Sequence, residues 1–263
     1  MTNAVMRPAP PCPVAVGLYL RPMLRRFAPL SLCLTLVAAP AAAEVRALLV
    51  GVADYLVLDA DLKGPAADVR LMAETLAARG VAPGAMLALT SDPAGLPAGV
   101  ASGAPTKAEI LAAMQALADQ AQPGDTVVFY FSGHGSQAPD MSGDEGGGYD
   151  EILLPADAAG WKGQIGAVEN ALVDDELQAW ARQLTGRGIR LVGLIDACHS
   201  ATGFRALGAQ GNPRGLPPEA LSVPDDVTPA ESGTPEPPLE GEFVFLYSSQ
   251  SDQRSFEYPL ADG

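Results

Sequence analysis

Five short runs rich in aliphatic and aromatic residues most constrain how this chain can fold. They read "VRALLVG" from residue 45, "AMLALT" from 85, "DTVVFYFSG" from 125, "IRLVGLID" from 189 and "EFVFLYSS" from 242. Near-continuous apolar runs of this length suit strands buried on both faces, as in a parallel sheet. Segments of helical spacing lie between them. Residues 64–80 place Val69, Met72, Ala73 and Leu76 on one face, with Pro65 in the first turn and Gly80 as a stop. Residues 106–121 open with Thr106 and Glu109 at capping-box spacing, and 174–184 read as a third helix. Strands alternating with helices predict an α/β sandwich around a mostly parallel central sheet. "DEILLPAD", 150–157, predicts a shorter edge strand.

Two regions stand apart from this pattern. Residues 205–241 are dense in Pro, Gly and acids, which predicts a mobile loop with no packed element. The domain is thus expected over 44–204, interrupted by 205–241 and resumed in 242–263, which supplies the last strand. No closing helix follows that strand, so 242–263 reads either as a plain end to the fold or as the end of a fragment. The other region is residues 1–43. Arg25 and Arg26 precede an apolar run of about a dozen residues that ends in Ala41-Ala42-Ala43, the pattern of a cleavable secretory signal. Met23 is an alternative start. The run is short for a transmembrane helix, and Leu32 before Cys33 does not suit lipid attachment. The expectation is an exported protein, periplasmic or secreted, with no stable membrane anchor after cleavage.

Acids outnumber Lys and Arg 31 to 16, a formal net charge of -15. This argues against nucleic acid as a partner and leaves room for cationic substrates or metal ions. Of three cysteines, Cys12 and Cys33 lie in the leader. A mature chain keeps Cys198 alone and has no internal disulfide.

Chemistry concentrates at two strand ends. Open α/β sheets carry their sites at the carboxyl ends of strands. One run ends in "FSGHGSQ", with Ser132 and His134, and another in "DACHS", with Asp196, Cys198, His199 and Ser200. The chain's two histidines are therefore one at each end. If those strands are neighbours, His134 can approach Cys198, and a thiol beside an imidazole is an activated nucleophile. Gly133 and Gly135 allow the backbone to turn and approach a substrate. His199 follows Cys198 directly, so in extended chain the two side chains point apart, and His134 is the better base. A lone cysteine at a strand end is otherwise a small core residue, and the adjacent Cys and His are awkward zinc ligands. "GHGSQ" is not a serine-hydrolase elbow, and Ser136 has no second histidine placed to activate it.

"YFSGHGSQ" followed by "DACHS", with Cys198 64 residues after His134, resembles the caspase fold and within it the metacaspases. Asp196 before the cysteine and His-Ser after it depart from the Q-A-C-[RQG]-G signature of caspases and are similar to the metacaspase D-x-C-H-S-G, with Ala201 in place of the final Gly. The resemblance spans about 45–258. It implies a cysteine endopeptidase with Cys198 as nucleophile, His134 as general base and acid, and the N–H groups of Gly135 and Cys198 as oxyanion donors. It also implies cleavage of peptides or proteins after Arg or Lys. Asp68, Asp196 and Ser132 match polar residues of the family's cation-binding pocket.

No cofactor is required by such chemistry, but the resemblance implies calcium as an activator. Tyr149-Asp150 and Val173-Asp174-Asp175 match the family's calcium-binding acids. Arg205 stands where a further acid is expected, while Asp144 or Glu145 could be lent by the neighbouring acidic stretch. Arg205 and Arg214 in the Pro/Gly loop are expected self-cleavage points for an enzyme that cuts after Arg. The reading from another class is a non-catalytic caspase-fold module that binds peptide or calcium.

Overall fold

The computed structural model describes residues 43–145, 147–198, 212–230, 237–248 and 256–257. Its centre is a sheet of six parallel strands in the order β12-β10-β4-β1-β2-β3. These are β1 (Val45–Gly51), β2 (Met86–Thr90), β3 (Ala101–Gly103), β4 (Thr126–Ser132), β10 (Arg190–Asp196) and β12 (Phe243–Tyr247). The α/β class and the mostly parallel sheet expected from the apolar runs are present.

Period-2 alternation divides the sheet's side chains between two cores. Leu48, Val50, Val127, Phe129 and Phe131 join the larger core, which holds Ile110 and Met114 of α2 (Lys107–Gln120) and Trp180 and Leu184 of α3 (Asp174–Thr185). Ala47, Leu49, Val128 and Tyr130 face the other way and meet Val69 and Ala73 of α1 (Pro65–Ala78). Helices thus cover both faces, which is why β1 and β4 read as unbroken apolar runs. The helix ends follow from the sequence. Thr106 accepts the Glu109 N–H at 3.4 Å, Pro65 opens α1, and Gly80 ends that segment at φ +90°. Trp180 donates its indole N–H to the Met114 carbonyl at 2.8 Å and packs edge-on to Phe129, so its one polar atom is satisfied within the core.

A second, antiparallel sheet grows from the carboxyl edge of the first. It consists of β5 (Gly135–Pro139), β6 (Tyr149–Leu153) and β9 (Leu172–Val173), in that order. The short hairpin of β7 (Trp161–Lys162) and β8 (Ala167–Val168) lies between β6 and β9 in the chain. The expected edge strand at 150–157 is therefore corrected: β6 is the middle strand of this sheet, because the turn after β4 sends β5 back to pair with it. β11 (Asn212–Pro213) pairs antiparallel with β13 (Phe256–Glu257).

A second correction concerns 205–241. The stretch contains positions that pack: Arg214 is 5% exposed and Leu221 is fully buried. Composition there reads as a loop because Pro and Gly dominate, yet one cation and one leucine find partners in the domain. Residues 1–42, with the expected leader, lie outside the described residues, as do His199, Ser200 and Arg205. Among the described residues no helix is long and apolar enough to cross a membrane.

The close approach of α1 to the sheet depends on Gly51. A Cβ there would lie 2.6 Å from both the Pro65 carbonyl oxygen and Val69. Gly51→Ala should lower stability by about 1–3 kcal/mol through overpacking in equilibrium urea unfolding. Gly84→Ala, where an added Cβ meets nothing within 4 Å, should change it little.

Candidate active site

The register between β4 and β10 builds the site. Ser132 pairs with Asp196 at the carboxyl ends of the two strands. Two residues further on each strand come His134 and Cys198, so both loaded ends leave the sheet at the same level. Cys198 and His134 are 1% and 4% exposed.

His134 is held from several directions. Its backbone N–H donates to the Tyr55 hydroxyl at 2.8 Å, and the Tyr55 ring lies 5.3 Å from the imidazole. Its Nε2 is 2.8 Å from the Ala60 carbonyl oxygen. A carbonyl only accepts, so Nε2 carries the proton and the neutral ring leaves Nδ1 with a free lone pair. Nδ1 is buried and has no hydrogen-bond partner among the described residues. Burial, with a smaller contribution from the Arg214 charge, lowers the His134 pKa to about 4.

Glycine at 135 is required by closeness. A Cβ at Gly135 would collide with the Cys198 carbonyl oxygen. Neither Gly133 nor Gly135 takes a positive φ, so tight approach is their role and an unusual turn is not.

The cleft between these ends holds a segment of the chain itself. The Arg214 carbonyl oxygen accepts the Cys198 N–H at 2.9 Å and the Gly135 N–H at 3.2 Å. These are the two donors expected for an oxyanion. The Arg214 guanidinium reaches the three polar residues expected to line a cation pocket. Nη1 donates to Asp196 Oδ2 at 2.6 Å and to Ser132 Oγ at 2.5 Å, and Nη2 donates to Asp68 Oδ2 at 2.5 Å. Ser132 Oγ also donates to Asp68 at 2.9 Å. Burial pulls the Arg214 pKa down, but Asp196 and Asp68 outweigh it and hold it above the ordinary value. Tyr130, beneath this group, resists ionisation because it is buried beside the same two carboxylates. After Arg214 the chain runs alongside the start of β5: the Leu216 N–H donates to the Gly135 carbonyl at 3.0 Å, in a single parallel bridge between Gly135 and Gly215.

The acids expected for calcium lie elsewhere, around the second sheet. Burial, and then Asp140, Asp175, Asp144 and Glu145, raise the Asp150 pKa to about 7. Burial followed by Asp150 and its neighbours raises that of Asp174 to about 7 as well. Asp150 Oδ1 is buried without a hydrogen-bond partner among the described residues. Asp174 accepts the Glu151 N–H at 3.3 Å. Carboxylates are the right donors for a hard cation. Among the described residues, however, no three acid, His or Cys side chains converge into a metal-holding group. These acids are near neighbours without converging on one point among the described residues.

Sequence reasoning missed Tyr55 and the Ala60 carbonyl, which fix His134. A backbone acceptor has no residue signature. Arg214 was singled out as a cleavage point, but nothing in its Pro/Gly surroundings signals that it is docked.

His134 gives the site a pH dependence. The folded state refuses the proton until about pH 4, whereas an unfolded histidine accepts it near 6.5. The stability this provides is complete above pH 6.5 and is lost as pH falls towards 4, by at most about 1.4 kcal/mol per pH unit. His134→Gln should remove this loss, so the difference in unfolding free energy between native and variant protein should change with pH across that window, by at most about 1.4 kcal/mol per pH unit, in urea unfolding at a series of pH values.

The metacaspase, peptidase C14 domain family matches residues 45–206. The chain is 37% identical over 158 residues to Metacaspase-1 of Emericella nidulans, an overlap of 60% of this chain and 36% of that protein. It is 38% identical over 157 residues to Metacaspase-1 of Mycosarcoma maydis, with the same coverage. The chain thus spans about a third of the length of these curated relatives. A solved protein of Geobacter sulfurreducens is similar at 25% identity, over 68% of this chain and 59% of that one, with a TM-score of 0.46. The family match covers both loaded strand ends and the sheet that aligns them, and the chain belongs to the metacaspase family of C14 peptidases.

Proposed function

We propose that the chain is a cysteine endopeptidase that cuts after Arg or Lys through Cys198 and His134. The observation that carries this is the docking of Arg214. A basic side chain held by Asp68, Asp196 and Ser132 has its own carbonyl held by the N–H groups of Gly135 and Cys198. This is how a substrate residue preceding a cleaved bond would be presented.

The chemistry follows from that placement. The Cys198 thiol loses its proton to Nδ1 of His134, and its sulfur attacks the arginine carbonyl carbon. The two N–H donors stabilise the negative charge that develops on the oxygen. The C–N bond breaks, and the imidazolium returns its proton to the leaving amine. Water then hydrolyses the thioester with His134 as base, releasing the carboxylate and restoring the thiol. Asp68 and Asp196 select a cation because an uncharged or acidic side chain would leave two half-buried carboxylates without a partner.

Peptides with Arg or Lys before a fluorogenic group should be cleaved and the Asp counterpart should not. Cys198→Ala should abolish the signal. Calcium as an activator is proposed on the family pattern alone. Run with and without calcium, the same assay should show higher activity with the ion, and Asp150→Asn should remove the difference. Absence of cleavage under either condition would favour a peptide-binding module of the same fold. Export, with removal of residues up to about Ala43, is likewise proposed from the sequence.

The docked bond is itself a substrate. Intact-mass measurement of purified protein should find cleavage between Arg214 and Gly215, absent in Cys198→Ala and in Arg214→Gln. An uncut 214–215 bond in protein that is active on peptides would remove self-cleavage from the account.

A further inference from the structure

The residues that follow Arg214 are held as well. The Leu216 N–H donates to the Gly135 carbonyl at 3.0 Å, and the Leu216 carbonyl accepts the Ser136 hydroxyl at 2.7 Å. Ser136 is 1% exposed. Its hydroxyl spends its one proton on this chain segment, although nothing in the acyl-transfer chemistry needs it. The Leu216 side chain is half-buried and packs against the larger core. Between them, Gly215 passes over the nucleophile. A Cβ at Gly215 would lie 2.7 Å from Cys198 Cβ and 3.3 Å from the Cys198 carbonyl oxygen. Both belong to Cys198, two residues beyond β10 and 1% exposed, and have little room to give.

We propose that Gly135 and Ser136 form a binding rail for the leaving side of the substrate, selecting glycine directly after the cleaved bond and an apolar residue after that. The inference rests on the peptidase reading and adds a second specificity element to it. The Asp68–Asp196 pocket reads the residue before the bond. The first two residues of β5 hold the two residues after it through one backbone carbonyl and one hydroxyl, while Cys198 leaves no room for a Cβ directly after the bond. Substrates would then be peptides containing Arg-Gly-apolar or Lys-Gly-apolar, of which Arg214-Gly215-Leu216 is the chain's own example.

The test compares internally quenched peptides carrying Pro-Arg-Gly-Leu-Pro with the same peptide bearing Asp for Leu, or Val for Gly. A Pro-Arg aminocoumarin substrate, which has nothing beyond the leaving group, is the reference. With the native protein, kcat/KM should fall about tenfold for the Asp peptide and at least as much for the Val peptide. In Ser136→Ala, the ratio of the Arg-Gly-Leu rate to the aminocoumarin rate should fall about fivefold, the size of one lost hydrogen bond. The rail is overturned if the three quenched peptides are cut at equal rates, or if Ser136→Ala slows both substrate types by the same factor, as a structural role would. Cleavage of none of these substrates by the native protein overturns the peptidase reading itself and the rail with it, a result distinct from equal rates.

Discussion

The in-register parallel pairing of β4 with β10 is the constraint on which the rest depends. Because Ser132 lies opposite Asp196, each chain leaves the sheet two residues before its reactive group. A slip of one residue would reverse the face of every side chain on one strand. It would place His134 and Cys198 at different heights and separate Ser132 from Asp196 across the pocket. The apolar alternation on both faces of β4 fixes that register, with Phe129 and Phe131 in one core and Val128 and Tyr130 in the other. The geometry of the proposed catalytic pair is thus secured by ordinary core packing.

Electrostatics then accounts for what the cleft holds. Two carboxylates from remote parts of the chain, Asp68 on α1 and Asp196 at the end of β10, share one guanidinium whose side chain is 6% exposed. Holding two acids this close costs energy unless a cation lies between them, and Arg214 is that cation here. The same charge helps keep His134 neutral, so the occupied pocket favours the form of the imidazole that can accept a proton.

Much of this was legible in the sequence, for physical reasons that differ between elements. Four of the five long strands of the central sheet announced themselves because strands covered on both faces must be apolar throughout; the fifth, β12, is expected to be buried like them but is an edge strand with Phe243, Val244, Leu246 and Tyr247 exposed. α1 and α2 were bounded by Pro65, Gly80 and Thr106, whose side chains or backbones act locally. β5 to β9 were harder to read. They are short, and β6 alone has an apolar run, so their pairing is set by a turn whose geometry needs the Gly135–Cys198 contact. The pocket residues could be named through resemblance, but what brings them together is the fold of α1 against β4 and β10. Arg214 shows the limit most clearly. Its neighbours Pro213 and Gly215 read as loop, and its burial arises from two carboxylates 146 and 18 residues away in the chain, a pairing that no local pattern encodes.

The central claim is that one buried thiol at the end of β10 is a nucleophile reached only by way of a basic side chain. It is tested most directly by treating the protein with a peptidyl-arginine chloromethyl ketone, in parallel with its aspartyl counterpart, and locating the adduct by peptide mass mapping. The account predicts a single adduct, on Cys198, from the arginyl reagent alone, formed much more slowly in Asp68→Asn. Equal labelling by both reagents, or no adduct on Cys198 from either, would contradict it.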